Sequence, residues 1–483
     1  MKKICLFIAA MVFISIAAIA QTDSCNCASN FDDLVIKAES NYIAYVQKIK
    51  DNPAATKSYQ AFKETVRGLA VQSSTTDCIE VLKKYTAYFK DGHLFVFETP
   101  SYSEQELKEF KTTVKAYPLT EQGATDYYAK NKKLLDPVEG IWHAEKNAYR
   151  LAVIRNPADK TQFFAVVLQS ANTQWKPGMV KATFTKVPEG YSVQYVSGNF
   201  GHANYEAAIH KDAIMNIGAL IYWGKSFPVS HDQLYTDKNN AGLPTVTRIN
   251  ADNILVSIPS FLVERAYMDS LIKAHYNEII AAKNLLVDIR GNGGGNAVYF
   301  PLINIYYTRP YKDSRGLSLS SPNNIKYFKT FAGYQQKKPG DTSVNIYETV
   351  VRDMMANPGK IVNGPDWPRN SNNVILPKPQ KVCILIDKAC ASAAESFIIH
   401  SKGFSDRITT FGENTHGMID YTSVSVLPLL CRKQNYYFGY PTSTLHERIP
   451  LDGYNAAGIP PDIRIADTVK DKIQFIIDWL DHQ

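Results

Sequence analysis

Residues 284–297 read NLLVDIRGNGGGNA, and no other stretch constrains the fold as much. The strand here is apolar at consecutive positions rather than at alternate ones, the pattern of a strand covered on both faces. Four glycines within five residues, Gly291 and Gly293 to Gly295, then end it. The chain around it repeats the theme. NILVSIPSF reads as a strand, RAYMDSLIKAHYNEIIAAK as a helix, and KVCILID and RITTFG as further strands. A helix is expected to begin near Ser392. VKDKIQFIIDWLDHQ spaces Val469, Ile473, Ile476, Ile477 and Leu480 as the packed face of another. Continuous apolar strands alternating with helices predict an α/β domain over residues 245–483, interrupted by a Pro- and Asn-rich stretch at 309–380.

The chain before it divides in two. Residues 28 to about 115 read mainly as helices, giving a helical N-terminal domain at 21–115. In FDDLVIKAESNYIAYVQKI, Leu34, Ile36, Tyr42, Ile43 and Val46 are expected near one face. Helix gives way at KDGHLFVFETP to a turn and a strand-like run. From about 116 to 240, short aromatic and β-branched runs separated by Asn, Gly, Pro and Asp predict a mainly antiparallel barrel or sandwich. Its opening, Gly140-Ile141-Trp142, is reminiscent of lipocalin-like barrels. The simpler reading is a domain that packs or docks a partner.

Residues 1–20 carry a transport pattern. Lys2 and Lys3 precede the apolar ICLFIAAMVFISIAA, and Ala18-Ile19-Ala20 supplies a cleavage site before Gln21. A signal peptide cut after Ala20, and an exported protein, periplasmic or extracellular, are the expectations. The apolar run is short for a membrane span and polar QTDSCNC follows it, so the chain is not expected to span a bilayer. Asp23 and Ser24 fit a lipid-attachment site at Cys25 poorly.

The net charge of +7 among 483 residues is modest, and no Lys/Arg run marks a nucleic-acid surface. No nucleic-acid partner is expected. Six cysteines follow the leader: Cys25, Cys27, Cys78, Cys383, Cys390 and Cys431. An exported chain can hold disulfides, and Cys25 or Cys27 with Cys78 is the pairing expected. C-x-C is too little for zinc, and neither metal nor cofactor is expected.

Three features carry chemistry. The glycine turn lacks the G-K-[ST] of a Walker loop, and Asn296 stands where a dinucleotide fingerprint needs its last glycine. It reads either as a tight structural turn or as an oxyanion hole made of backbone N–H groups. Ser392, in KACASAAESF, sits among small Cys390, Ala391, Ala393 and Ala394. With Glu395 it has the spacing of a capping box, and its exposed hydroxyl also suits a nucleophile. Among ten histidines, His93 in DGHL and His416 in NTHGM sit in glycine-containing turns where an imidazole can enter a cleft.

Taken in order, DGHL, LLVDIRGNGGG, ILIDKACASAAESF, ITTFGENTHGMIDY and GIPPDIRI resemble the C-terminal processing (tail-specific) serine peptidase family, which includes the tricorn core and the interphotoreceptor retinoid-binding protein. The four later motifs span residues 245–466. The β segment at 116–240 is not visibly the PDZ domain of many members. The resemblance implies a crotonase/Clp-protease-like ββα catalytic domain acting on polypeptides, with Ser392 as nucleophile. Processing-type members pair the serine with a lysine in a G-K-G turn. Here that turn reads Thr415-His416-Gly417-Met418, so the chain resembles the tricorn branch, whose early histidine implies His93 as general base. The helper serine of that branch is replaced by Gly92. Its late glutamate is missing from DGYNAAGIPPD, where Asn455 or Asp452 would have to orient the base, with His416 and Glu395 as further accessory candidates.

An imidazole can take the serine proton and return it to the leaving amine. Backbone N–H groups of Gly293, Gly294 and Ala393 are expected to meet the oxyanion, the last at a helix start. The reading is an exported serine peptidase. The alternative is a weakly active or inactive scaffold that binds a peptide or an apolar ligand.

Overall fold

The glycine-terminated strand, Asn284–Asp288, lies inside a six-stranded sheet. The computed structural model describes residues 25–483 apart from 76, 189, 219, 230–234, 312–314, 335–344 and 366–373. The expected leader, residues 1–20, lies outside the described residues. In the sheet, Thr245–Arg248, Asn253–Ser257, Asn284–Asp288, Lys381–Ile386, Ile408–Gly412 and Ile463–Arg464 follow one another edge to edge. All pairs are parallel except the first.

The apolar runs earn their burial on both faces. Leu285, Val287, Val382 and Ile384 pack with Met268, Leu302 and Phe397 of the helices on one side. Leu286, Cys383 and Leu385 pack on the other against Ile473, Ile476 and Leu480 of the last helix, Lys472–Asp481. Burying each such side chain contributes roughly 1.5–3 kcal/mol. The helical run before the central strand is two helices, Arg265–Ala274 and Tyr276–Ala281, joined at His275. The stretch 309–380 holds helices Pro322–Tyr334 and Ile346–Ala356 and strands Leu317–Leu319 and Ile361–Asn363.

A second sheet joins segments far apart in the chain. Phe95–Glu98 pairs antiparallel with Tyr436–Thr444, Phe95 opposite Gly439, and Tyr421–Pro428 flanks the same strand. The N-terminal helices Cys27–Asn41, Pro53–Gln72 and Cys78–Ala87 pack on this sheet in one core: Phe31, Leu34, Tyr42 and Tyr85 meet Leu319, Tyr421, Tyr436 and Phe438. Ile36 departs from the expected face and is 63% exposed. The buried positions of its helix include Phe31, Leu34, Val35 and Ala38, a spacing that turns Ile36 outward. Cys27 pairs with Cys78, and Cys25 pairs with Cys431 rather than with Cys78.

Between these parts, eight antiparallel strands from Gly140–Ala144 to Ile221–Phe227 close into a barrel. Its interior is filled by Trp142, Leu151, Val153, Phe163, Phe184, Val193 and Trp223. A filled interior is what an eight-stranded barrel accommodates. The architecture is mixed α/β, with N-terminal helices and an eight-stranded antiparallel barrel. Among the described residues no helix is long and apolar enough to cross a membrane.

Candidate active site

Ser392 caps the helix Ala393–Phe404, entered directly from the loop after Lys381–Ile386. Its backbone has φ 55° and ψ −115°, a conformation that costs a non-glycine residue roughly 1–3 kcal/mol. Two neighbours hold it there. On one side the Ala391 N–H donates to the Asn292 carbonyl of the glycine turn at 3.0 Å. On the other, the buried Glu395 carboxylate accepts the Ser392 N–H at 3.0 Å.

Glu395 does more than cap a helix. It also accepts from Thr415 Oγ1 at 2.5 Å and from the N–H groups of Gly417 and Met418, each at 2.9 Å. One buried carboxylate thus ties the serine elbow to the 415–418 turn. His416, in that turn, is exposed, and its backbone N–H donates to the Cys390 carbonyl at 2.8 Å. It makes no hydrogen bond to Ser392.

His93 does. Its Nε2 lies 2.8 Å from Ser392 Oγ. The imidazole is buried and its Nδ1 lies 2.5 Å from the Tyr421 carbonyl oxygen. A carbonyl only accepts, so the proton sits on Nδ1 and Nε2 is left to accept from the serine hydroxyl. Asp91 fixes the turn from behind: Oδ1 accepts the His93 N–H at 3.0 Å and Oδ2 the Tyr42 hydroxyl at 2.7 Å. Burial lowers the His93 pKa, with the Asp91 charge and the Tyr421 carbonyl opposing it. The imidazole is therefore neutral at pH 7, the form a general base requires.

The glycine turn abuts the serine. Gly294 has φ 104°, and a Cβ there would lie 2.8 Å from the Ala391 oxygen, 2.9 Å from Ser392 Cβ and 3.0 Å from the Ala393 nitrogen. Only glycine allows that approach. Gly294 is not the oxyanion donor expected from the sequence, because its N–H is spent on Asn292 Oδ1 at 2.9 Å. Among the described residues no hydrogen bond engages the N–H of Gly293 or of Ala393. Those two donors stay open, Ala393 directly after Ser392 and Gly293 directly before Gly294, which abuts the serine.

The expected orienting residues sit elsewhere. Asp452 is exposed and pairs with Arg448 at 3.1 Å. Asn455 Oδ1 accepts the N–H groups of Ile419 and Asp420 at 3.1 Å. Asp420 in turn accepts from Tyr454 and Asn455, which locks the 452–458 loop to the 415–420 segment. Neither Asn455 nor Asp452 touches His93, whose partner is the Tyr421 carbonyl. Sequence reading missed that group because every residue has a carbonyl. Asp91 was legible in principle, two residues before the histidine in a motif already singled out.

The Ser392 hydroxyl thus meets a buried neutral imidazole beside a glycine turn and a helix start, an arrangement chemically able to activate a serine nucleophile. Residues 254–465 match the family model for Peptidase family S41. No curated protein matches the chain. Similar solved structures include mature CPAF complexed with lactacystin, at 12% identity and TM-score 0.46, covering 95% of this chain and 98% of that one. The tricorn protease matches at 12% identity and TM-score 0.40, over 94% of this chain and 36% of that one. The photosystem II D1 C-terminal processing protease matches at 11% identity and TM-score 0.34, over 92% and 93%.

Proposed function

We propose that this protein is an exported serine peptidase, nearer to the tricorn branch than to the serine–lysine branch, that hydrolyses peptide bonds of polypeptides. The observation that carries the reading is the Ser392 Oγ–His93 Nε2 contact of 2.8 Å, with Nδ1 held by the Tyr421 carbonyl. The serine oxygen attacks the scissile carbonyl while its proton passes to Nε2. The tetrahedral oxyanion is met by the Gly293 and Ala393 N–H groups, the latter at the positive end of a helix. Nε2 then gives the proton to the leaving amine, and the acyl-enzyme is hydrolysed by water through the same steps. Strands Asn284–Asp288 and Lys381–Ile386 with helix Ala393–Phe404 supply the crotonase/Clp-protease-like ββα unit. Two disulfides and the leader pattern support export, because such bonds persist in oxidising compartments.

A serine-directed fluorophosphonate tests the reading. The purified protein is expected to be labelled at Ser392 and to cleave an unstructured protein substrate, and Ser392→Ala to do neither. Labelling and cleavage that persist in Ser392→Ala sink the assignment. An inert wild-type protein carrying a co-purified peptide or lipid favours the binding-scaffold alternative.

A further inference from the structure

We infer that Lys211, on the barrel, is a positioning residue for the glycine turn of the active site; its bearing on turnover rests on the peptidase reading. Lys211 lies at the tip of the hairpin joining His202–His210 to Ile214–Ile217. It and Asp212 both have positive φ, 57° and 49°. This is the backbone of a tight hairpin turn, closed by the Ala213 N–H donating to the His210 carbonyl at 3.1 Å, and it projects the Lys211 side chain from the barrel.

The surroundings here belong to the catalytic domain. The Lys211 side chain is 2% exposed, and Nζ lies 2.9 Å from Asp288 Oδ2 and 3.2 Å from Ser257 Oγ. Asp288 and Ser257 are the opposed last residues of two adjacent parallel strands. The ammonium therefore closes both strand ends where the chain enters the turn. Asp288 also accepts from the Arg290 N–H and guanidinium. Removing a buried cation leaves its carboxylate undercompensated, so the strand end must rearrange.

The neighbouring residue presses on the turn itself. A Cβ at Gly291 would lie 2.6 Å from His210 Cγ, so the imidazole rests against the glycine backbone. The Gly291 N–H is held by both oxygens of Asp387 at 3.0 and 3.1 Å. Two residues on stands Gly293, and Gly294 abuts Ser392. The turn is clamped between the barrel hairpin and the serine elbow. A donor displaced by about 1 Å loses roughly 10²-fold in rate, so the clamp bears on turnover rather than on substrate capture.

Three measurements on the full protein test this: kcat, KM, and amide exchange followed by mass spectrometry. Lys211→Met is expected to lower kcat about 10- to 100-fold with KM within about twofold. Peptides covering 289–296 should exchange faster while barrel strands keep their protection. Lys211→Arg should restore most of both. Unchanged exchange at 289–296 in Lys211→Met, or a kcat within about twofold of wild type in an active enzyme, overturns the inference. If Lys211→Met does not fold, His210→Ala replaces it: faster exchange in the turn supports the clamp and unchanged exchange overturns it. Exchange needs no turnover. An inert wild-type protein with a Lys211-dependent turn would therefore count against the peptidase reading and not against the clamp.

Discussion

Met418 occupies the space a side chain at position 92 would need: a Cβ on Gly92 would lie 2.2 Å from Met418 Sδ and 2.8 Å from its Cγ. Gly92 and Met418, which stand where the resembled family carries a serine or a lysine, fit each other sterically. Gly92→Ser forces the thioether out of its place and is expected to cost about 1–3 kcal/mol. Met418→Ala in the same chain should recover part of that loss. Thermal unfolding of the two single variants and the double variant checks the coupling.

His93 and His416 make opposite predictions. His93→Ala is expected to lower turnover of an unstructured protein substrate roughly 10²- to 10⁴-fold. Added to Ser392→Ala it should cost almost nothing further, because the two act as a unit. His416→Ala should keep turnover near wild type. Loss of activity in His416→Ala alone would reverse the assignment.

The pH profile follows from burial. Under the proposed mechanism the active form of His93 is neutral, so kcat/KM is expected to rise with pH as the imidazole loses its proton. Burial lowers its pKa, which places the acid limb below the ordinary histidine value of about 6.5. The Asp91 carboxylate raises it in part. Asp91→Asn is therefore expected to move the acid limb to lower pH and to reduce the plateau, since the imidazolium formed in the transition state loses a nearby negative charge. A limb that stays in place argues against this electrostatic role.

Two adjacent glycines should respond differently. No atom outside the neighbouring residues lies within 4 Å of a Cβ at Gly293, and its φ is not in the left-handed region. Gly293→Ala keeps the N–H and should leave stability unchanged. Gly294→Ala places a methyl group against Ala391, Ser392 and Ala393 at positive φ and should lower activity by about 10²-fold or more. Thermal midpoints and fluorophosphonate labelling rates distinguish the two.

The Cys25–Cys431 bond spans 406 residues and ties the first described residue to the sheet that carries Tyr421. Cys431→Ser together with Cys25→Ser is expected to cost about 2–4 kcal/mol of stability. Because His93 depends on that sheet for its Nδ1 partner, the acid limb of the activity profile should shift as well. Denaturant unfolding and the pH profile measure both.

Much of the architecture was legible because it depends on side-chain polarity. NLLVDIR and KVCILID lack a polar face, and the parallel sheet covers both of theirs. The face containing Ile36 was misread because a broad apolar pattern leaves the helix phase open by one position. Barrel or sandwich stayed open for 116–240 because closure depends on which edge strands pair, here Gly140–Ala144 with Ile221–Phe227. The pairing of Cys25 was missed because its partner lies 406 residues away.

The sequence by itself determined the ordered motifs, a serine among alanines at a helix start, a glycine turn after a buried strand, and a histidine in an early turn. Each depends on what a side chain is or on its absence. Only the tertiary structure decided that Tyr421 lends a carbonyl to His93, that Gly294 spends its N–H on Asn292, and that Lys211 of the barrel reaches Asp288. Backbone groups are the same at every position, and a surface-type lysine gives no sign of its partner. What they do is set by where the fold brings them.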